Sequence, residues 1–288
     1  MGEQSISRRA IFGMCAVGGA AIVATAGSSV QAQVQPGTLQ QIRDRGELRV
    51  GVAPGEPWFY KDQRSDQWYG IGWGVAVALA RDLGVKPVPV ETTWGNAVAG
   101  LQAGQFDVMF VLDATPQRAL AVDFPVQPMF YYAQGLLVRD GLAVRKWEDL
   151  DKPEIRIGVI LGTAPDRDVT TRLTKAQIER FPSGDETAAA FQAGRVDAIS
   201  LFHPALVMLR ARVKRGTVVL PEPIRESSTS AGVRRDPEKS WRDWLGLSMA
   251  YLYTTGETQK IYEEYLKFRG IDPKEAPAVM RELWQNRP

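Results

Sequence analysis

The chain has 288 residues, 44% of them hydrophobic and 24% charged, with 35 Lys and Arg against 33 Asp and Glu. These proportions are those of a globular protein with room for one large or two medium domains, and the length favours two. A net charge of +2 gives no argument for a nucleic-acid partner or an anionic membrane surface, and beyond residue 32 no apolar run approaches the roughly 20 residues of a membrane span.

Residues 1–32 read as an export signal rather than as part of the fold. Arg8 and Arg9 precede the apolar, Gly- and Ala-rich stretch Ile11 to Ala26, and Val30-Gln31-Ala32 supplies the small-x-small pattern of a cleavage site. Ser7-Arg8-Arg9 followed by Ile11 and Phe12 matches a twin-arginine signal, and an ordinary signal with two arginines in its basic region fits the same stretch. The expected mature chain begins near Gln33, lies in the periplasm and carries a net charge of +1. Cys15 is the only cysteine and would leave with the signal, so the mature chain has no disulfide, no thiol nucleophile and no thiolate metal site.

An internal repeat organises the rest. Glu47-Leu-Arg-Val-Gly-Val52 is echoed by Glu154-Ile-Arg-Ile-Gly-Val159, and Leu101-Gln-Ala-Gly-Gln-Phe-Asp-Val108 by Phe191-Gln-Ala-Gly-Arg-Val-Asp-Ala198. The β-branched runs read as buried strands, while Trp73 to Leu83 and Ala97 to Leu101 place apolar residues at helical spacing. Gly84, Gly104 and Gly194 suit the left-handed position that ends a helix. Strands alternating with helices predict parallel sheets, and two such units predict two similar α/β lobes.

In open α/β sheets ligands gather beyond the carboxyl ends of the strands. Those ends are Ala53 to Trp58, Leu112 to Thr115, Leu161 to Ala164 and Leu201 to Pro204. Superposing the second repeat pair sets Asp113 opposite His203. Arg118, at an expected helix start, has two readings: a guanidinium fork that takes a carboxylate in two parallel hydrogen bonds, or a local ion pair with Asp113 or Asp123. Thr163 reads as a helix cap, and the amides around Gly162-Thr163-Ala164 as donors to an anion. Trp58, Phe59 and Tyr60 are divided between pocket wall and core, and His203 between a ligand contact and a loop hydrogen bond. Gly70-Ile-Gly-Trp-Gly74 lacks the spacing of a dinucleotide loop. No phosphate-binding loop, nucleophile elbow or His/Cys metal cluster is present in the sequence, so neither a cofactor nor a metal is expected.

From about Leu48 to Leu266 the chain resembles the bacterial periplasmic solute-binding proteins of the polar amino-acid class, the receptors of ABC importers. The resemblance rests on ordered segments: LRVGV with PWF, GVAVALARDLG, VETTWGNAVAGLQAGQFDV, ATPQRALAVDFP, WEDL, RIGVILGT, AAAFQAGRVDAI and GETQKIYEEYLKF. It implies the two-lobed type II periplasmic-binding-protein fold with two hinge strands, crossing near Ala133 to Arg139 and Ser228 to Arg235, and closing over a ligand. Lobe 1 would comprise 39–136 and 232–288, and lobe 2 137–231. It implies a monomer that binds a small carboxylate-bearing solute, delivers it to an inner-membrane permease and touches no nucleic acid. Arg118 falls in the family's Thr-Pro-x-Arg motif, which clamps the ligand carboxylate, with Thr115 and Thr163 donating to the same group. Trp94 matches an aromatic that packs on the ligand side chain, with Trp58 beside it.

The pattern breaks where the family places an aspartate against the ligand's α-ammonium, since the aligned residue here is Phe202. A buried ammonium with no anion costs several kcal/mol, so either another acid takes the amine or the ligand is not a standard α-amino acid. Asp113 is the first substitute and Glu56 a weaker one. The family's aspartate near the start of the long helix is Gly74, a change expected to affect only that helix start. Two other readings of the scaffold are a periplasmic dehydratase, which needs an acid of raised pKa over the leaving group, and a sensory receptor without transport.

Overall fold

The computed structural model describes residues 36–284, and the expected export signal lies outside the described residues. Helix α1 (Thr38–Arg45) leads into strand β1 (Glu47–Val52), and a short hairpin of β2 (Tyr60–Lys61) and β3 (Trp68–Tyr69) follows. Next come α2 (Ile71–Leu83), β4 (Lys86–Glu91), α3 (Ala97–Gln102), β5 (Met109–Leu112) and the single turn α4 (Pro116–Ala119). The long strand β6 (Phe130–Val138) opens a second unit of β7 (Arg156–Ile160), α5 (Ala164–Arg172), β8 (Gln177–Phe181) and α6 (Gly184–Gln192). That unit continues with β9 (Ala198–Phe202), α7 (His203–Val213) and β10 (Thr217–Val219). Strand β11 (Arg225–Gly232) then precedes α8 (Ser240–Thr254) and α9 (Glu257–Phe268).

The sheet register shows how the two halves are joined. Strand β1 lies parallel to β4 and is bridged to the residue before β5 through Val50 and Val108. In the second half β7 is parallel to β8 and β9, and β9 and β10 both pair antiparallel with the Gln134–Val138 end of β6. Strand β11 pairs along Arg225–Thr229 with the start of β6 and along Ser230–Gly232 with β5. Thus β11 joins β5 of the first half to β6, and β6 carries the pairing on to β9 and β10 of the second.

Local chemistry accounts for the elements. Leu48, Val50 and Val52 in β1, and Ile157 and Val159 in β7, are fully buried, each contributing about 1.5–3 kcal/mol of apolar burial. Gly84, Gly104 and Gly194 take φ of 70°, 65° and 69° just beyond their helices, where a β-carbon would be strained. The repeat extends to a shared ion pair. Asp107 accepts from the Arg49 main-chain N–H at 2.8 Å and its guanidinium at 2.7 Å, and Asp197 accepts the same two groups of Arg156 at 3.0 and 3.1 Å.

The glycines of Gly70-Ile-Gly-Trp-Gly74 serve packing. Helix α2 begins against the loop after β1: Ile71 N–H donates to the Pro57 carbonyl at 2.9 Å and Gly72 N–H to that of Trp58 at 3.0 Å. A β-carbon at Gly70 would lie 2.5 Å from the Trp58 oxygen, one at Gly72 2.6 Å from the Phe59 ring, and one at Gly74 inside Ile261 of α9. Gly74 therefore serves the α2–α9 contact rather than only a helix start.

The segment 272–284 runs behind the hinge. Val279 accepts from Tyr131 N–H of β6 at 3.2 Å and donates to Gln259 of α9 at 2.9 Å. Arg281 lies over the Tyr131 ring and pairs with Glu226 of β11 at 3.2 Å. On the other side Glu275 pairs with Arg210 of α7 at 2.8 Å, and Trp284 meets the His203 ring edge-on. One short segment thus touches both hinge strands and a helix of each half. Among the described residues no helix is long and apolar enough to cross a membrane.

Candidate functional site

The end of β5 is bent before it reaches the site. Val111 has φ of 58°, unusual for a β-branched residue, and opposite it the pairing with β11 slips between Ser230 and Ala231. Such a bulge redirects the strand, so that Asp113 leaves the sheet. Thr115 then caps α4, its Oγ1 accepting from Arg118 N–H at 3.2 Å with Pro116 at the first helical position.

The charges on this turn are arranged unequally. Arg118 Nη1 donates to the main-chain oxygen of Asp113 at 3.0 Å, whereas the Asp113 carboxylate accepts from the Tyr132 hydroxyl on β6. Asp123, the other partner the sequence offers Arg118, is held by Lys239 at 2.5 Å and Arg235 at 3.7 Å. Among the described residues the guanidinium of Arg118 forms no ion pair and is half-buried. Burial, and then the charge and hydrogen bond of Asp113, push the Tyr132 phenol far above its usual range, against the opposing effects of Thr229 and Arg118. It therefore remains a donor at any working pH.

Aromatic rings continue from this turn. Tyr132 lies 4.3 Å from the Phe202 ring and 5.8 Å from Trp58, and Trp58 stacks on Phe130 at 6.2 Å. Trp94 packs 6.0 Å from Phe59, and the Trp94 and Trp58 indoles both flank Gly55. Phe202 thus takes its place at the end of β9 by packing on the hinge tyrosine, and Trp58, Tyr132, Phe202, Asp113 and Arg118 form one connected group. Tyr132 and Phe130 were missed in the sequence reading; the signal was their alternate spacing on a hinge strand, which puts both on one face.

The remaining expected residues lie elsewhere. Thr163 caps α5, accepting from Asp166 N–H at 3.3 Å while its hydroxyl donates to the Ile160 carbonyl at 2.8 Å. The Gly162 amide already donates to the buried Asp166 carboxylate at 2.9 Å, and the Thr163 amide to Ile160, so the protein's own acid takes part of the anion role expected at this helix start. His203 is fully buried, its Nδ1 accepting from Ala133 N–H at 2.9 Å. Glu56 pairs with Arg269 at 2.9 Å, and that guanidinium covers the Tyr60 ring at 4.5 Å.

A cavity of about 1150 Å³ opens between the halves, lined from one side by Glu56, Tyr60, Lys61 and Arg269 and from the other by Ser183, Asp185 and Arg212. Of the clamp, ammonium and aromatic-wall candidates it touches Glu56, Phe59 and Tyr60 but none of Arg118, Thr115, Asp113, Thr163, Trp58, Trp94, Phe202 or His203. Its cations are committed: Lys61 to Glu91 at 3.2 Å, Arg212 to Asp185 at 2.6 Å and Arg269 to Glu56. For an anion the chemistry favours the Arg118 turn over this larger space, because Arg118 has no carboxylate partner among the described residues whereas Arg212 and Arg269 each have one. They also contain no group of three or more His, Cys, Asp or Glu able to hold a metal ion.

Comparison with known proteins agrees with this architecture. The chain is 24% identical over 234 residues to the L-cystine-binding protein TcyJ of Escherichia coli (strain K12), covering 81% of this chain and 86% of that one. Among solved structures it is similar to an ancestral cationic amino acid solute-binding protein, AncCDT-1, with a TM-score of 0.69, 31% identity and coverage of 79% of this chain and 99% of that one. It is also similar to a putative ABC-transporter binding component from Wolinella succinogenes solved with lysine, with a TM-score of 0.65, 27% identity and coverage of 76% and 95%. These neighbours have the two-lobed type II fold that the resemblance implies. Residues 48–268 match the profile of the bacterial extracellular solute-binding proteins, family 3, and the chain belongs to that family.

Proposed function

We propose that the protein is the periplasmic receptor of an ABC importer, a monomer that binds a small carboxylate-bearing solute of amino-acid type and presents it to a membrane permease. The observation that carries this reading is the Arg118 guanidinium, held at the end of β5 by a main-chain oxygen and without an ion-pair partner among the described residues. A planar guanidinium in that state meets a carboxylate bidentately and keeps its charge at every relevant pH. Thr115 completes the clamp, Thr163 joins it from the second half on closure by exchanging its bonds to Ile160 for the ligand, Trp58, Trp94 and Phe202 wall the site, and Asp113 reads a positive group on the ligand in place of the acid that Phe202 displaces. The relatives named for cystine and complexed with lysine favour a ligand carrying both charges.

Binding rather than dehydration is supported by the state of the acids: Glu56 is paired with Arg269 and Asp113 accepts from Tyr132, so neither stands free to protonate a leaving group. The test is a thermal-shift screen of the mature chain against amino acids, amines, and simple and aromatic carboxylates, followed by calorimetry. Arg118→Ala is expected to abolish the shift while moving the unliganded transition by no more than about 1 kcal/mol, the value of one hydrogen bond. Retained binding would overturn the clamp. Turnover of a bound compound would overturn the receptor reading.

A further inference from the structure

Asp113 and Arg118 lie on one turn, and the guanidinium already bonds to the Asp113 main-chain oxygen at 3.0 Å. The carboxylate of that same residue is carried on the same turn, and an acceptor-only group beside a fork of donors would ordinarily close a charge-assisted pair. Here it does not, because the Tyr132 hydroxyl holds the Asp113 carboxylate. The tyrosine is itself fixed: its ring is buried between Trp58, Phe130 and Phe202, so little side-chain freedom remains to be lost in making the bond.

We infer that Tyr132 is a positioning residue that keeps the Asp113 carboxylate off the Arg118 guanidinium, so that a ligand carboxylate meets an unpaired arginine. The inference rests on the carboxylate-clamp reading of Arg118 and assigns a task to a hinge residue outside the Thr-Pro-x-Arg motif. Without its hydroxyl the carboxylate would turn to Arg118, and every ligand would first have to displace it. The same arrangement gives Phe202 a role: its ring, 4.3 Å from that of Tyr132, packs on the phenol where an acid would compete for its proton.

The probe that needs no ligand is phenylglyoxal, which modifies accessible guanidinium groups, with adducts at Arg118 followed by peptide mass spectrometry on the full mature chain. Tyr132→Phe keeps the ring and is expected to slow labelling of Arg118 by roughly three- to tenfold, the effect of an ion pair worth about 1 kcal/mol. In an Asp113→Asn background the same second substitution is expected to change nothing, because no carboxylate remains to be restrained. Equal labelling of Tyr132→Phe and the unaltered chain overturns the inference, as does a slowing that persists with Asp113→Asn, which would mark a structural effect of the hydroxyl. Failure of the clamp reading is seen separately: Arg118→Ala would then still bind an amino acid from the screen, whatever the labelling result.

Discussion

Asp107 and Asp197 occupy the same place in the two repeats, and each takes a main-chain amide and a guanidinium from the first strand of its repeat, β1 or β7. For Asp197 burial works against the charge, but Arg156 and Arg139 outweigh it and hold the carboxyl below its usual range. The folded pKa is thus depressed, so the stability it contributes is complete above the unfolded value near 4 and is lost as pH falls through the folded value. Asp197→Asn is expected to cost about 2 kcal/mol at pH 7, a fall in Tm of roughly 4–8 °C. Differential scanning calorimetry should find the gap narrowing below about pH 4; a gap constant down to pH 2 would show that the charge is not the cause. The repeat was visible in the sequence, yet its aspartates read only as strand starts. Their arginine partners, 58 and 41 positions away along the chain, become neighbours only when the strands lie side by side.

Among the elements, α2 depends most on a single residue. Gly70 has φ of 109°, and two carbonyl oxygens of the preceding loop lie within 2.8 Å of where its β-carbon would be. Gly70→Ala is expected to cost about 3 kcal/mol or more, since strain and a backbone clash act together, and thermal melting by circular dichroism would measure it. An unchanged melt would mean that the loop carrying Trp58 yields without loss. Helices such as α2 and α3 were legible because apolar spacing and a terminal glycine are local signals. The bulge at Val111 was not, because nothing in Phe-Asp-Val-Met-Phe-Val announces that a β-branched residue will adopt left-handed backbone. That conformation follows from the slip in pairing with β11, a strand more than 110 positions later.

At the scale of the molecule, the α/β alternation and the repeat were enough to expect two similar halves. The Thr-Pro-x-Arg motif was enough to single out Arg118. The role of Tyr132 was hidden, since it arises only where a hinge strand brings a phenol to a turn 19 positions earlier. The folded chain likewise fastens the stretch from Pro273 onward to both hinge strands, to α7 and to α9, through partners distant in sequence. A segment tied at so many points is a lever whose anchors shift when the halves rotate. Lys274 is exposed beside Glu275, the residue that holds Arg210, and the mature chain expected from the sequence has no cysteine of its own. A Lys274→Cys variant carrying an environment-sensitive dye would therefore hold a single label. Its emission is expected to change with solute concentration at the calorimetric midpoint, and an unresponsive dye would show that closure leaves this segment at rest. The tail behind the hinge would thus serve as a gauge of occupancy, read from a segment that touches none of the expected ligand contacts but His203.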